Sequence, residues 1–344
     1  MKKLLFISGL VISGLVISAF ADAQENCGFP VSLLRSGFET GEQAQYVTLP
    51  GDTTPLTMTV DYPTQNLTVG LPALQVYGTL SGPSNLGVRI NDAELAINSA
   101  TDFTSQLFAL LPGSNAIQIK IETQAGAIQT VTRDVIYDPQ LVTEVSFQAK
   151  TSGDYAPITI PFALKTVNPP AQTQVTKVQI DFDGDGIFEV DAATAPTKIE
   201  GRYQNPGVYL ARARIEFDDG NMATPVVVRE SRYRIQMKSL AYVRQTLCGV
   251  YYGLKNKLVA NQVTDAVAAM SPRIRADYEI LFNFQGAALP ARAAKLGVVV
   301  SGLISDISAE FTVAIPDEST PGEFSGFPVQ FARDTKGVWR ISAL

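Results

Sequence analysis

From residue 56 to residue 236 apolar and polar side chains alternate in short runs, each closed by a turn signal. This period of two is the feature that most constrains the fold, because it suits half-buried strands and defeats helices. The first group of runs reads LTMTVDY, LQVYGTL, GVRINDAEL, SQLFALL, NAIQIKIET and QTVTRDVIYD. In the fifth, Ile117, Ile119 and Ile121 fall on one face and Gln118, Lys120 and Glu122 on the other. A second group follows, with EVSFQAKTS, ITIPFALKTV, TKVQIDFD, TKIEGRYQNPGVYLARARIEF and ATPVVVRESRYRIQM. The expectation is a mostly β chain with two tandem sandwiches, over 56–138 and 139–236.

Residues 237–344 change character. Tyr242, Val243, Leu247, Val250, Tyr251 and Leu254 recur at helical spacing. VTDAVAAMS and PRIRADYEILFNF then read as shorter helices, and LPARAAKLG as a marginal fourth. The runs VVVSGLIS, AEFTVAIP, FPVQFARD and GVWRISAL close the chain as strands. Helices followed by a sheet predict an α+β domain.

The ends and the cysteines speak to compartment. MKKLLFISGLVISGLVISAFADAQ has two lysines, an apolar run and small residues fitting an A-x-A site, so 1–23 reads as a signal peptide. An uncleaved anchor helix is the alternative, and no transmembrane segment is expected after cleavage. Residues 24–55 have little periodicity and read as a linker, a tether or a partly docked arm. Cys27 lacks the small apolar residues that a lipid-anchoring signal places before it. Its only fellow cysteine is Cys248. In an exported chain the two read as a disulfide joining the N-terminal segment to the C-terminal domain, with two unpaired thiols as the alternative.

Composition excludes several chemistries. Net charge is −6 at pH 7, which disfavours a nucleic-acid partner. There is no histidine, which removes Ser-His-Asp and Cys-His nucleophile systems and histidine metal sites. Two cysteines cannot build a zinc site.

One stretch invites a ligand. DFDGDGIFEVD, 181–191, holds five carboxylates and no base. Keeping Val178, Ile180 and Phe182 inward, and Phe188 and Val190 likewise, pairs Phe182 with Phe188 and Ile180 with Val190. That register sets Asp181 opposite Glu189 on the outer face, where like charges oppose pairing. Asp181, Asp183, Asp185, the Ile187 carbonyl and Glu189 fall at positions 1, 3, 5, 7 and 9 of a calcium-loop spacing, with Gly186 at 6. Ala192 stands at position 12, so any calcium is weakly held and structural. The alternative is a solvated acidic hairpin.

Three resemblances add to this reading. Gly78-Thr79-Leu80, Val88-Arg89-Ile90-Asn91-Asp92 and Leu111-Pro112-Gly113-Ser114-Asn115-Ala116-Ile117 resemble the bacterial Ig-like family named after domain B of glucodextranase, with Asp92 in place of its usual glycine. Asp181 to Gly186, Tyr203 with Pro206-Gly207-Val208-Tyr209, and Phe217 to Gly220 resemble PKD-like Ig modules, with one aspartate inserted. The C-terminal pattern ending Gly337 to Ile341 resembles NTF2-like (cystatin-like) domains. The first resemblance implies an accessory module for scaffolding or surface contact, and the partner expected of the whole chain is a secreted or cell-surface protein or a polysaccharide. The third leaves room for a lyase or isomerase in an NTF2-like cone, with Asp277 and Tyr278 as local candidates. Adjacent helical positions point about 100° apart, so these two are not expected to converge. A carboxylate-pair glycosidase needs a groove-bearing domain that no segment supplies. The sequence therefore favours a non-catalytic, exported binding or scaffold protein.

Overall fold

The computed structural model describes residues 27, 29, 31–35, 38–42, 53–141, 145–166, 170–317 and 319–344. The segment read as a signal peptide, and much of the 24–55 arm, lie outside them. The chain is mostly β and divides into two compact units: Leu49–Ser239 with Thr335–Val338, and Met1–Thr48 with Leu240–Asp334 and Trp339–Leu344.

The first sandwich of the Leu49–Ser239 unit sets one sheet, ordered Thr57–Tyr62, Tyr77–Ser81, Asp102–Thr104, Ile97–Asn98, against another. The second sheet runs Leu67–Val69, Ile128–Tyr137, Gly113–Thr123, Leu86–Ile90, Glu94–Leu95. Ile117, Ile119 and Ile121 are wholly buried with Val76, Val88, Ile90 and Phe103, as alternation requires. Glu122 departs from that pattern. It is 2% exposed and its charge is met by Arg89 at 3.2 Å and Lys336 at 2.5 Å.

Two details explain the turn motifs. Asn91 and Asp92 both take positive φ, 48° and 59°, so that Ile90 can pair with Glu94. Aspartate tolerates this left-handed region, and Asp92 is further held by Lys120 at 2.8 Å and Arg89 at 2.9 Å. Asn115 closes the turn before its strand, accepting from the Leu111 N–H and donating to the Leu111 and Gly113 carbonyls.

In the second sandwich, Val145–Ala149, Ile158–Thr166 and Glu200–Tyr203 face a sheet ordered Val190–Ala192, Gln174–Asp181, Gly207–Asp218, Val227–Met237. Val178, Ile180, Ala211, Ala213, Ile215 and Phe217 fill the core between them.

A polar seam joins the two sandwiches of this unit. The Gln75 side chain, 6% exposed, donates to Ser152 Oγ (2.8 Å) and the Arg234 carbonyl (2.9 Å) and accepts from the Arg234 N–H (2.8 Å). Arg234 pairs with Asp102 at 2.8 Å, and Gln236 donates to the Asp102 carbonyl. The Gln75 amide, bonded through both its nitrogen and its oxygen, ties the two sandwiches at a point that apolar contact alone leaves free to slide.

The other unit is α+β. Helix α1 (Leu240–Val259) buries Val243, Leu247, Cys248, Val250, Tyr251, Leu254 and Leu258. Helix α2 (Val263–Val267) is followed by α3 (Pro272–Gln285), which starts on proline after Ser271, and by the short α4 (Leu289–Ala294). The six-stranded sheet runs Phe38–Glu42, Val31–Arg35, Val298–Ile304, Ser308–Pro316, Phe324–Arg333, Trp339–Ala343.

Two of those strands come from the segment read as a linker, a tether or a partly docked arm. Val31 pairs with Gly302 and Leu33 with Ile304 in a parallel ladder, and an antiparallel hairpin to Phe38–Glu42 follows. Two anchors explain why a weakly patterned segment docks. Cys27 is joined to Cys248 of α1, and Phe29, 2% exposed, packs edge-on against Phe311 at 5.0 Å. The thiols are thus paired, and the open alternative of two free cysteines is excluded.

Candidate functional site

The 181–191 segment connects Gln174–Asp181 to Val190–Ala192, and the ladder between those strands ends at Ile180 opposite Val190. Beyond that pair the backbone leaves the sheet, and the expected Phe182–Phe188 pair does not form. Phe182 turns into the core, 5.5 Å from Phe162, while Phe188 lies under the Arg212 guanidinium at 5.0 Å. Phe182 is held there from both sides of its peptide. Its N–H donates to Glu189 at 2.8 Å, and its carbonyl accepts from Tyr203 Oη at 2.9 Å.

Asp181 corrects the expectation most sharply. Read as an outer-face carboxylate opposed by Glu189 and without a balancing base, it is 0% exposed and faces Arg212 across the neighbouring ladder. Arg212 reaches Asp181 Oδ2 through Nε at 3.2 Å and a terminal nitrogen at 3.1 Å. Gly184 N–H donates to Oδ1 at 2.6 Å and Gly186 N–H to Oδ2 at 3.0 Å. Gly184 takes φ 82° and Gly186 φ 97°, which lets the backbone fold back over one carboxylate.

The other carboxylates are partnered more lightly. Asp183 accepts from the Asp185 N–H at 3.1 Å, and Asp185 from the Ile187 N–H at 2.7 Å. Ile187, the expected carbonyl ligand, has its side chain 69% exposed. One carboxylate oxygen each from Asp181, Asp183, Asp185 and Glu189 lies within 4.8 Å of the others. Asp191 stands apart: Gln179, then Lys177, hold its carboxyl below the usual range. Four carboxylates against one guanidinium leave the loop strongly negative. Burial raises the Tyr203 phenol well above its ordinary value, and the nearby Asp183 and Glu189 charges push it the same way.

Arg212 was missed in the sequence although its signal was present. In ARARIEF the alanines and Ile215 alternate into the core, which puts Arg212 and Arg214 on the opposite face. Only the register shows that Arg212 lands on Asp181.

The C-terminal candidates do not come together. Asp277 is exposed on α3, whereas the Tyr278 hydroxyl donates to the Leu344 carbonyl at 2.6 Å. Tyr251 is a core residue, 1% exposed, bonded to the Gly297 carbonyl at 3.1 Å.

No family model and no curated protein matches the chain. Among solved structures, fibronectin(III)-like modules of Clostridium thermocellum CbhA match at 11% identity and TM-score 0.20, over 53% of this chain and 94% of that one. Domains 5–6 of the S-layer protein SbsC match at 11% and 0.25, over 54% and 100%. Dimeric latent PorU from Porphyromonas gingivalis matches at 10% and 0.29, over 54% and 20%. Scores this low define no fold, and the sandwich architecture rests on the sheets described above.

Proposed function

We propose that this chain is a non-catalytic exported protein that binds or spaces other components outside the cytosol, with calcium fixing the loop of its second sandwich. The observation that carries the reading is the convergence of Asp181, Asp183, Asp185 and Glu189 within 4.8 Å around a loop that Arg212 neutralises only in part. Asp181 is committed to Arg212 and two glycine N–H groups, so it acts as a scaffold for the loop more than as a free ligand. Asp183, Asp185 and Glu189 supply the exposed oxygens, with the Ile187 carbonyl as the further donor. Hard oxygen donors of this kind suit calcium, and the alanine at position 12 keeps the site weak. Weak calcium sites are useful where calcium is millimolar, which is outside the cell.

The Cys27–Cys248 cross-link supports the same compartment, because structural disulfides persist where the milieu is oxidising. In this reading the signal peptide is 1–23, the two sandwiches are glucodextranase domain B-like and PKD-like Ig modules, and the α+β unit is an NTF2-like domain. The partner is a secreted or surface protein or a polysaccharide. Fractionation of the producing cell tests the reading. Recovery of the chain in an exported fraction with Cys27 and Cys248 oxidised is expected. Recovery in the cytosol with both thiols alkylatable would overturn it.

A further inference from the structure

A half-open groove of about 540 Å³ lies in the Leu49–Ser239 unit, where the first sandwich meets the second. Its size is that of a small-ligand site. Three properties restrict what it can hold.

The first is charge. Arg232 and Arg234 both line the groove, but Arg232 pairs with Glu230 at 2.6 Å and Arg234 with Asp102 at 2.8 Å. Each guanidinium is neutralised by its own carboxylate, so an anionic ligand would have to displace an ion pair. The second is backbone. The groove floor offers little to an added strand, because the Phe147 N–H is taken by Ser231 Oγ and both Arg234 backbone groups by Gln75. An extended peptide pairing by its main chain finds these positions occupied.

The third is the kind of polar group left over. Tyr62 and Tyr77 stack at 5.3 Å and 18° in the wall, and the Arg234 guanidinium lies over the Tyr77 ring at 4.8 Å, so Tyr77 offers a ligand its edge and hydroxyl while its ring is already stacked. Among the described residues neither their hydroxyls nor the Thr68 hydroxyl and Gln148 amide bond another protein group. Leu71 and Leu107 supply apolar surface beside them. Side-chain hydroxyls and an amide without partners, next to aliphatic and aromatic surface and with no net charge, match a ligand with hydroxyls along its edge and C–H groups on its faces.

We infer that this groove binds a neutral oligosaccharide. The inference rests on the reading of the chain as a binding protein and selects the polysaccharide among its partners. The seam through Gln75 and Arg234 keeps the two walls at fixed spacing, so the groove is formed before the ligand arrives.

The test is calorimetric titration of the full chain with cellotriose, maltotriose, laminaritriose and tri-N-acetylchitotriose, after an array of neutral glycans has indicated which to favour. Thr68→Val, Gln148→Ala and Tyr77→Phe each remove one polar group and leave the stacking and the seam in place. Binding of a neutral glycan, weakened about tenfold by each substitution that breaks a contact, is the expected result. Asp183→Asn, outside the groove, should leave it unchanged. Glycan binding that all three substitutions spare would overturn the groove while leaving the binding reading intact. Binding of extended peptides in preference to any glycan, or of no neutral glycan at all, would overturn the inference outright.

Discussion

Asp181 and Arg212 stand opposite each other in the ladder between Gln174–Asp181 and Gly207–Asp218, joined at 3.1 Å, and this pair lets the acidic loop fold. With Asp181 wholly buried, its charge has no water to solvate it, and the guanidinium with two glycine N–H groups takes that place. Arg212→Ala should therefore destabilise the second sandwich by about 2–3 kcal/mol, because an uncompensated buried charge remains. The figure is set below that of a fully enclosed pair, since Arg212 keeps 28% exposure. Urea unfolding checks it, and Asp181→Asn combined with Arg212→Leu should recover much of the loss. A loss within about 0.5 kcal/mol would mean the pair is a surface contact.

Glycine at position 78 has a steric cause. A Cβ there would meet the Thr59 carbonyl oxygen at 1.9 Å and the Phe103 ring at 2.9 Å. Neither can move without opening the sheet, so Gly78→Ala should cost about 3 kcal/mol in thermal or urea unfolding. A neutral substitution would show that the strands are spaced more widely than described.

Asn115 stitches its turn with three hydrogen bonds, which no other side chain reproduces. Asn115→Ala should cost about 1–2 kcal/mol. Asn115→Asp should lose nearly as much, because it keeps the acceptor for the Leu111 N–H and loses both donors. An aspartate variant as stable as the parent would count against this role.

Reducing the Cys27–Cys248 bond should release the added strands from the C-terminal sheet. The link closes a span of 221 residues, for which chain entropy alone is worth about 5 kcal/mol. Hydrogen exchange at Val31 to Leu33, paired with Gly302 to Ile304, should accelerate on reduction while exchange in Phe324–Arg333 stays slow. Unchanged protection at Val31 would show that Phe29 and the ladder hold the arm without the cross-link.

The Asp92 carboxyl is held below its ordinary value by Lys120, with Arg89 adding to the effect. A lowered folded-state value means its contribution is complete above the unfolded carboxylate range and is lost as pH falls through the folded value. Asp92→Asn should thus flatten the acid side of the stability curve and leave the neutral and alkaline side parallel to the parent. An identical acid slope in both proteins would contradict the pairing.

Local pattern carried much of the architecture. The isoleucine ladder 117–121 follows a period of two and the buried face of α1 a helical period, each enforced by burial. Two things did not follow from it. The docking of Val31–Arg35 depends on a covalent link and one phenylalanine, which leave no periodic trace. The partner of Asp181 lies 31 residues away, and only the ladder register brings Arg212 to it. The carboxylate spacing was visible as a motif, whereas the burial of its first member required the glycines to fold the loop back over it. The groove was invisible for a related reason, since Tyr62, Tyr77 and Gln148 meet only once two sandwiches are locked together.

Scanning calorimetry of the full chain in calcium, against sodium at matched ionic strength, tests the central claim most directly. A ligand held only by the folded state raises the melting temperature by mass action, whereas screening treats the two salts alike. The account predicts a larger rise in millimolar calcium for the parent, and no calcium-specific rise once Asp183→Asn and Asp185→Asn are combined. Equal shifts from calcium and sodium in the parent would contradict it and leave the loop held by the Asp181–Arg212 pair and its own hydrogen bonds.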